Sequence, residues 1–147
     1  MDADRLPAAF LREMRALLGD EYDEYIESLK EPWHPGLRIN GLKLEPEEFE
    51  KMVSWKLEPV PWEAAGFYYD PEEVRPSRHP WYYAGLYYLQ EPSAMAPAGF
   101  LPIEPGARVL DLCAAPGGKS TALAAKLRGT GLLVSNDISY SRARALL

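Results

Sequence analysis

The sequence predicts an α/β fold in which a small α+β region precedes the beginning of a doubly wound domain with a parallel sheet. Three observations support this prediction. Residues 108–112 form a short apolar run, interrupted only by an aspartate, that is typical of a parallel strand covered on both faces. Residues 114–118 form a loop of small residues that leads directly into a helix at residues 120–127. A second apolar run at residues 132–136 predicts the next strand, and Asp137 follows it.

Two helices are predicted at the start of the chain. The first covers residues 6–18, because apolar side chains recur there on one helical face: Phe10, Met14, Leu17 and Leu18. The second covers residues 20–29 and ends before Pro32. It is more acidic than the first, and we interpret its acidic face as solvated surface.

The segment from Leu37 to Leu44 allows two interpretations. Its apolar residues alternate as in a strand, but Asn40-Gly41 could also be the two-residue turn of a hairpin. The sequence leaves both open. Pro46 then begins a short helix that carries Phe49, Met52 and Val53.

The rest of the N-terminal region is predicted to contain one strand and a loop. Residues 66–69 read as the strand, and residues 71–80 are polar and contain prolines, as in a connecting loop. We therefore assign residues 1–80 to an N-terminal α+β domain and residues 81–147 to the first part of the second domain.

Aromatic and polar residues follow this loop. Trp81-Tyr82-Tyr83 and Tyr87-Tyr88 could stack on nucleobases, but aromatic side chains near a domain junction usually fill a core, and we favour packing. A helix is predicted at residues 93–100, and the polar residues at its start are candidate caps: Gln90, Glu91 and Ser93.

The spacing of the glycine loop separates it from two familiar phosphate-binding motifs. A P-loop requires a glycine where this sequence has Cys113. The dinucleotide fingerprint requires three glycines, and the aligned positions hold Ala115, Gly117 and Ser120. Asp137, about 20 residues after the loop, does match the carboxylate that holds ribose hydroxyls in dinucleotide sites. The pattern favours a nucleoside-bearing ligand without a required pyrophosphate.

The string Asp-Leu-Cys-Ala-Ala-Pro-Gly-Gly-Lys-Ser at residues 111–120 resembles the Sun/Nop family of RNA (cytosine-5) methyltransferases, and most of all its bacterial RsmF-type members that act on small-subunit ribosomal RNA. Three further segments resemble the same family: residues 36–43, Pro61-Trp62 and residues 88–95. The resemblance implies the beginning of a Rossmann-like class I methyltransferase domain, truncated in this chain. It also implies ribosomal RNA as the partner of the full-length parent.

The resemblance implies S-adenosyl-L-methionine as the cofactor. Its binding residues would be those of the loop, with Asp137 on the ribose: Cys113, Ala114, Ala115, Pro116, Gly117, Gly118 and Lys119. Lys119 could instead be an exposed residue of the first helical turn. The resemblance also gives residues 90–93 a second possible role besides capping the helix. They would lie beside the methionine end of the cofactor.

Methylation of cytosine at carbon 5 requires a thiolate that adds at carbon 6. We do not assign this role to Cys113, which we interpret as a small, buried loop residue. The family's two cysteines, one after a proline and one in a Thr-Cys-Ser string, are expected beyond Leu147. The isolated chain is therefore expected to be inactive on its own.

Two other functions stay open at this point. The chain could be a non-catalytic module that binds RNA or protein and carries a vestigial cofactor loop, or a methyltransferase with another substrate. If only half of the second domain is present, its sheet would expose apolar faces. The N-terminal region would then cover them, or the chain would self-associate or be marginally stable.

Composition and charge limit the remaining function classes. The chain of 147 residues is 47% apolar and has a net charge of -6, which argues against a generic nucleic-acid binder. Residues 1–100 hold 10 basic against 19 acidic side chains, whereas residues 101–147 hold 6 against 3. No apolar run approaches a membrane span, and we expect a cytoplasmic protein. One cysteine and two histidines give no metal-ligand cluster, so no metal is expected.

Overall fold

The computed structural model describes residues 6–146, and the chain divides into two compact units, Met1–Trp33 and His34–Leu147. The first unit contains helices α1 (Ala8–Leu18) and α2 (Tyr22–Ser28), joined by a 3₁₀ turn. Both helices were predicted, and both are confirmed. Gly19, with a φ of +55°, ends α1 at the position where the sequence indicated a stop.

The second unit begins with a four-stranded antiparallel sheet in the order β2-β3-β1-β4. Its strands and the two helices between them are β1 (Gly36–Ile39), α3 (Pro46–Met52), β2 (Leu57–Pro59), β3 (Gly66–Tyr69), α4 (Pro80–Tyr83) and β4 (Tyr87–Leu89). Strand β3 and helix α3 lie where they were predicted. Strand β4 lies beyond residue 80 and pairs with β1. The division into domains after residue 80 stays a prediction.

The strand interpretation of residues 37–44 is confirmed only as far as Ile39, and the hairpin interpretation was wrong, because residues 41–44 form no second strand. Strand β1 ends at Ile39, and Asn40 then forms a turn in which its side-chain oxygen accepts from the amide of Leu42 at 3.2 Å. The carbonyl oxygen of Asn40 also accepts from the amide of Lys43 at 2.8 Å. Because asparagine satisfies its neighbours' amides locally, the chain turns towards α3 instead of forming a second strand.

The aromatic residues after the loop mainly fill the core of this sheet, as predicted. Phe49 lies at its centre and makes edge-to-face contacts with three rings, those of Trp55, Trp81 and Tyr87. The hydroxyl of Tyr87 donates to the carbonyl of Pro76 at 2.8 Å, and burial together with the neighbouring Tyr69 and Tyr82 raises the pKa of Tyr87 to about 12. Tyr83 differs from the others because it is 79% exposed.

The remaining elements form a strand-helix-strand unit preceded by one helix. They are α5 (Pro92–Phe100), β5 (Arg108–Asp111), α6 (Gly118–Leu127), β6 (Leu132–Ser135) and the short α7 (Tyr140–Ala143). Strands β5 and β6 are parallel. This arrangement confirms the predicted α/β class.

Only one face of the parallel sheet is covered among residues 34–146. Val109 and Leu133 pack against a small core that α5 and α6 supply: Ala98, Ala122 and Leu123. On the opposite face, Leu110 is 59% and Val134 46% exposed. The expectation that β5 is covered on both faces was therefore wrong for the described residues, because both helices lie on the same side.

Within residues 6–146, no helix has the length and apolar character that crossing a membrane requires. The same residues contain no group of three or more His, Cys, Asp or Glu side chains arranged to hold a metal ion.

Candidate functional site

The loop between β5 and α6 lies at the carboxyl ends of the two parallel strands, where ligands bind in open α/β sheets. Backbone bonds hold it against the residues that follow β6. The amide of Ala114 donates to the carbonyl of Asn136, and the amide of Asn136 donates to the carbonyl of Asp111, both at 2.8 Å. The loop thus has a fixed position relative to both strand ends.

Asp137 contacts this loop directly. Its Oδ2 accepts from the amide of Ala115 at 3.2 Å, and its Oδ1 accepts from the amide of Ser139 at 3.0 Å. Arg142 lies beside it: its Nη2 is 3.6 Å from Asp137 Oδ2 and donates to the carbonyl of Ala115 at 2.7 Å. The Asp137 side chain is only 2% exposed. The structure therefore brings together the loop and the carboxylate that the sequence spacing had paired.

The end of the loop presents backbone rather than side chains. Gly117 has a φ of +115°, which favours glycine, and it is the N-cap residue of α6 without a side chain to cap the helix. The first amides of a helix have no partner within it, and no side chain caps those of Gly118, Lys119 and Ser120. Lys119 is exposed on the first turn of α6, a position that fits both of its interpretations.

The two remaining loop positions that the sequence singled out are exposed. Pro116 follows a cis peptide bond. Cys113 is exposed as well, so our expectation of a small buried residue there was wrong. The reason lies in Asp111, whose Oδ1 accepts from the Cys113 amide at 3.2 Å and fixes the backbone while the side chain projects outward.

The role of Asp111 itself was not predicted from the sequence. Its second oxygen, Oδ2, accepts from Ser120 Oγ at 2.7 Å, and Ser120 Oγ lies 2.9 Å from Ser135 Oγ. These bonds join the end of β5 to α6 and β6 beneath the loop. The sequence does contain a sign of this role, because Asp111 is a carboxylate inside an otherwise apolar strand. A charge in such a place requires partners.

Arg38 is the second residue near the site whose role was not predicted from the sequence. It lies in β1, is 3% exposed, and its guanidinium reaches the start of α6. Burial lowers the pKa of Arg38, while the electrostatic influence of Glu63 and Tyr88 acts in the opposite direction. The only sign of this role in the sequence is that an arginine stands between two apolar residues of a strand.

The polar segment before α5 acts mainly as a cap. Glu91 accepts from the amide of Ala94 at 3.0 Å and from the hydroxyl of Ser93, and these bonds lower the pKa of Glu91. The capping interpretation is confirmed for this residue. Gln90 instead accepts from Arg38 and donates to the carbonyl of Ala94 at 3.0 Å.

Family models match almost the whole chain. The model described as the N-terminal domain of 16S rRNA methyltransferase RsmF matches residues 6–92, and the model described as 16S rRNA methyltransferase RsmB/F matches residues 98–147.

Individual relatives agree with these models. Ribosomal RNA small subunit methyltransferase F of Serratia proteamaculans is 39% identical over an alignment of 150 positions that covers 96% of this chain. This chain spans only 31% of that relative. Among solved structures, a methyltransferase homolog protein from Pyrococcus horikoshii matches with a TM-score of 0.78 and 28% identity, over 95% of this chain and 51% of that one. NSun6 from the same organism matches with a TM-score of 0.80 at 18% identity, over 95% of this chain and 61% of that one, and supports the fold alone.

Proposed function

This chain belongs to the RsmF family of 16S rRNA methyltransferases, and from that premise we propose that it forms the N-terminal and cofactor-binding portion of an S-adenosyl-L-methionine-dependent rRNA (cytosine-5) methyltransferase. The observation that carries the proposal is the bond between the Ala115 amide and Asp137 Oδ2. It places a carboxylate against a loop of small residues at the carboxyl ends of two parallel strands, which is the arrangement that binds nucleosides in α/β sheets.

The nucleoside end of the cofactor fits Asp137. A carboxylate has about four acceptor positions, and the amides of Ala115 and Ser139 use two of them. The others can accept from ribose hydroxyls. Arg142 covers the carboxylate, but its own side chain is 58% exposed and can swing aside when a ligand enters.

The methionine end of the cofactor fits the start of α6. Its carboxylate is an anion, and uncapped amides at a helix N-terminus bind anions. We assign cofactor binding to the loop together with Asp137: Cys113, Ala114, Ala115, Pro116, Gly117, Gly118 and Lys119. When bound there, the cofactor supplies the methyl group.

Cys113 is the one thiol in the chain, and we propose that it does not attack cytosine. It belongs to the loop that would lie against the cofactor, so a target base would have to displace the cofactor to reach it. The chain by itself is then expected to bind the cofactor without methylating RNA. Transfer of a labelled methyl group to ribosomal RNA by this chain, abolished in Cys113→Ser, would overturn this assignment.

Ribosomal RNA is the proposed acceptor, and the cytoplasm is the proposed location because ribosomal RNA is found there. The excess of basic residues in 101–147 supports RNA contacts near the cofactor site, whereas the acidic first 100 residues do not.

The choice of ligand tests the proposal. Calorimetric titrations of the chain with S-adenosylmethionine, S-adenosylhomocysteine, ATP and NADH should give saturable binding for the first two alone. Binding of ATP or NADH with similar affinity would contradict the proposal and favour a general nucleotide site. The incomplete P-loop and dinucleotide patterns of the loop are the reason to expect neither.

A further inference from the structure

Arg38 joins the antiparallel sheet to the cofactor loop. Its Nε donates to Gln90 Oε1 at 3.1 Å, and its Nη2 donates both to the carbonyl of Gly118 at 2.9 Å and to Thr121 Oγ1 at 2.8 Å. Gly118 and Thr121 belong to the first turn of α6. One buried side chain of β1 therefore holds the helix end to which we assign the anion of the cofactor.

The acceptors of Arg38 are all neutral. Among residues 6–146, no carboxylate lies within 4.0 Å of its guanidinium. Glu63 favours the charge of Arg38 only from a distance. Burying a cation without a carboxylate in contact is costly, and a neutral side chain could join the same acceptors at a lower cost. The charge lies where the dipole of α6 already favours an anion, so both contributions make this end of the helix more attractive to a carboxylate.

The packing of Gly118 is an independent sign that the sheet presses on this turn. A Cβ at Gly118 would lie 3.2 Å from Tyr88 Cε1 and 3.3 Å from Gln90 Cδ. Both neighbours belong to β4 or follow it directly. The turn is thus held by hydrogen bonds from β1 and by close contact with β4.

We propose that Arg38 is a positioning residue of the cofactor site, and that its bonds to Gly118 and Thr121 hold the first turn of α6 in the conformation that receives the anionic end of the cofactor. This inference rests on the proposed function, because that function supplies the anion. The antiparallel sheet then has a defined part in cofactor binding, through Arg38 of β1 and the contact of β4 with Gly118.

The test compares Arg38→Met, Arg38→Lys and a matched control, Lys126→Met. Lys126 is also a cation that ties α6 to a neighbour, since it donates to the carbonyls of Gly99 and Leu101 at 2.6 and 2.8 Å, but it lies at the opposite end of the helix. Hydrogen exchange is measured without ligand at the two hydrogen-bonded amides of this turn, those of Gly117 and Thr121, and affinity for S-adenosylmethionine is measured by calorimetry. Circular dichroism confirms that each variant is folded.

Arg38→Met should raise the exchange rate of the Gly117 and Thr121 amides and weaken cofactor binding, each by about tenfold. Arg38→Lys should recover part of both losses, because it keeps the charge and one donor. Lys126→Met should lower the melting temperature and leave both readouts unchanged. If Arg38→Met does not fold, Thr121→Val removes one acceptor and should produce a smaller loss of the same kind.

Two results would overturn the inference: unchanged exchange and affinity in folded Arg38→Met, or equal changes in Lys126→Met. If the unmodified chain does not bind S-adenosylmethionine, the proposed cofactor function fails. The exchange measurement then decides separately whether Arg38 holds the turn.

Discussion

Gly131 immediately precedes β6, and its replacement by alanine should weaken the parallel sheet. Gly131 has a φ of +77°, a conformation that costs an L side chain about 1–2 kcal/mol. A Cβ there would lie 2.2 Å from the carbonyl oxygen of Ala107, which must then move. That oxygen accepts from the amide of Leu132 at 3.0 Å, and losing this bond costs about 1 kcal/mol more. We expect a total loss of at least about 2–3 kcal/mol in the free energy of unfolding.

Gly129→Ala is the matched control. Gly129 has a similar φ of +72°, but a Cβ there meets nothing within 4 Å. Gly129→Ala should therefore lose only the free energy that the positive φ costs an L side chain. The difference in unfolding free energy between the two variants then measures the collision with Ala107. Urea unfolding followed by circular dichroism gives both values. Equal losses in the two variants would refute the reasoning, since the collision would then have no measurable effect.

Three further substitutions test the cores and the cap. Leu123→Ala should cost about 2–5 kcal/mol of unfolding free energy, because Leu123 is buried between helix and sheet; a loss below 1 kcal/mol, on the scale of a surface site, would show that this core is loose. Tyr87→Phe leaves the carbonyl of Pro76 without its hydroxyl donor and should cost about 1–2 kcal/mol in thermal unfolding. Glu91→Gln should cost about 0.5–1 kcal/mol, because it weakens the cap of α5. The pKa of Glu91 is lowered in the folded chain, so its contribution is complete above the ordinary value of 4.5 and is lost as the pH falls through the lowered pKa. Unfolding curves of the wild type and Glu91→Gln should therefore converge in acid; a gap that is independent of pH would contradict the cap.

The strand-loop-helix-strand unit could be predicted because its signals are local and agree with one another. The apolar runs of β5 and β6, the small-residue loop and the position of Asp137 all lie within 30 residues. Strand β2 was missed because Pro59 argues against a strand. The structure places β2 at the edge of its sheet, where a proline does not remove a ladder bond.

The contacts around the site could not be predicted, because they join distant parts of the chain. Arg38 and Gly118 are separated by 80 residues, and nothing in the local pattern of β1 specifies that partner. Likewise, Leu110 reads as a buried strand residue, and only the placement of α5 and α6 on one face shows that it is exposed. Sequence patterns predict elements well, whereas side-chain partners depend on tertiary packing.

Calorimetric titration with S-adenosylmethionine of the unmodified chain, Asp137→Ala and Asp70→Ala tests the central claim most directly. Asp70 is a matched control, because its carboxylate also accepts from a backbone amide in a loop, at 2.8 Å, but lies after β3. We predict saturable binding at one site, weakened about tenfold or more by Asp137→Ala and unchanged by Asp70→Ala. Absence of binding in the folded, unmodified chain, or equal affinity in Asp137→Ala, would contradict the assignment of the loop and Asp137 as the cofactor site.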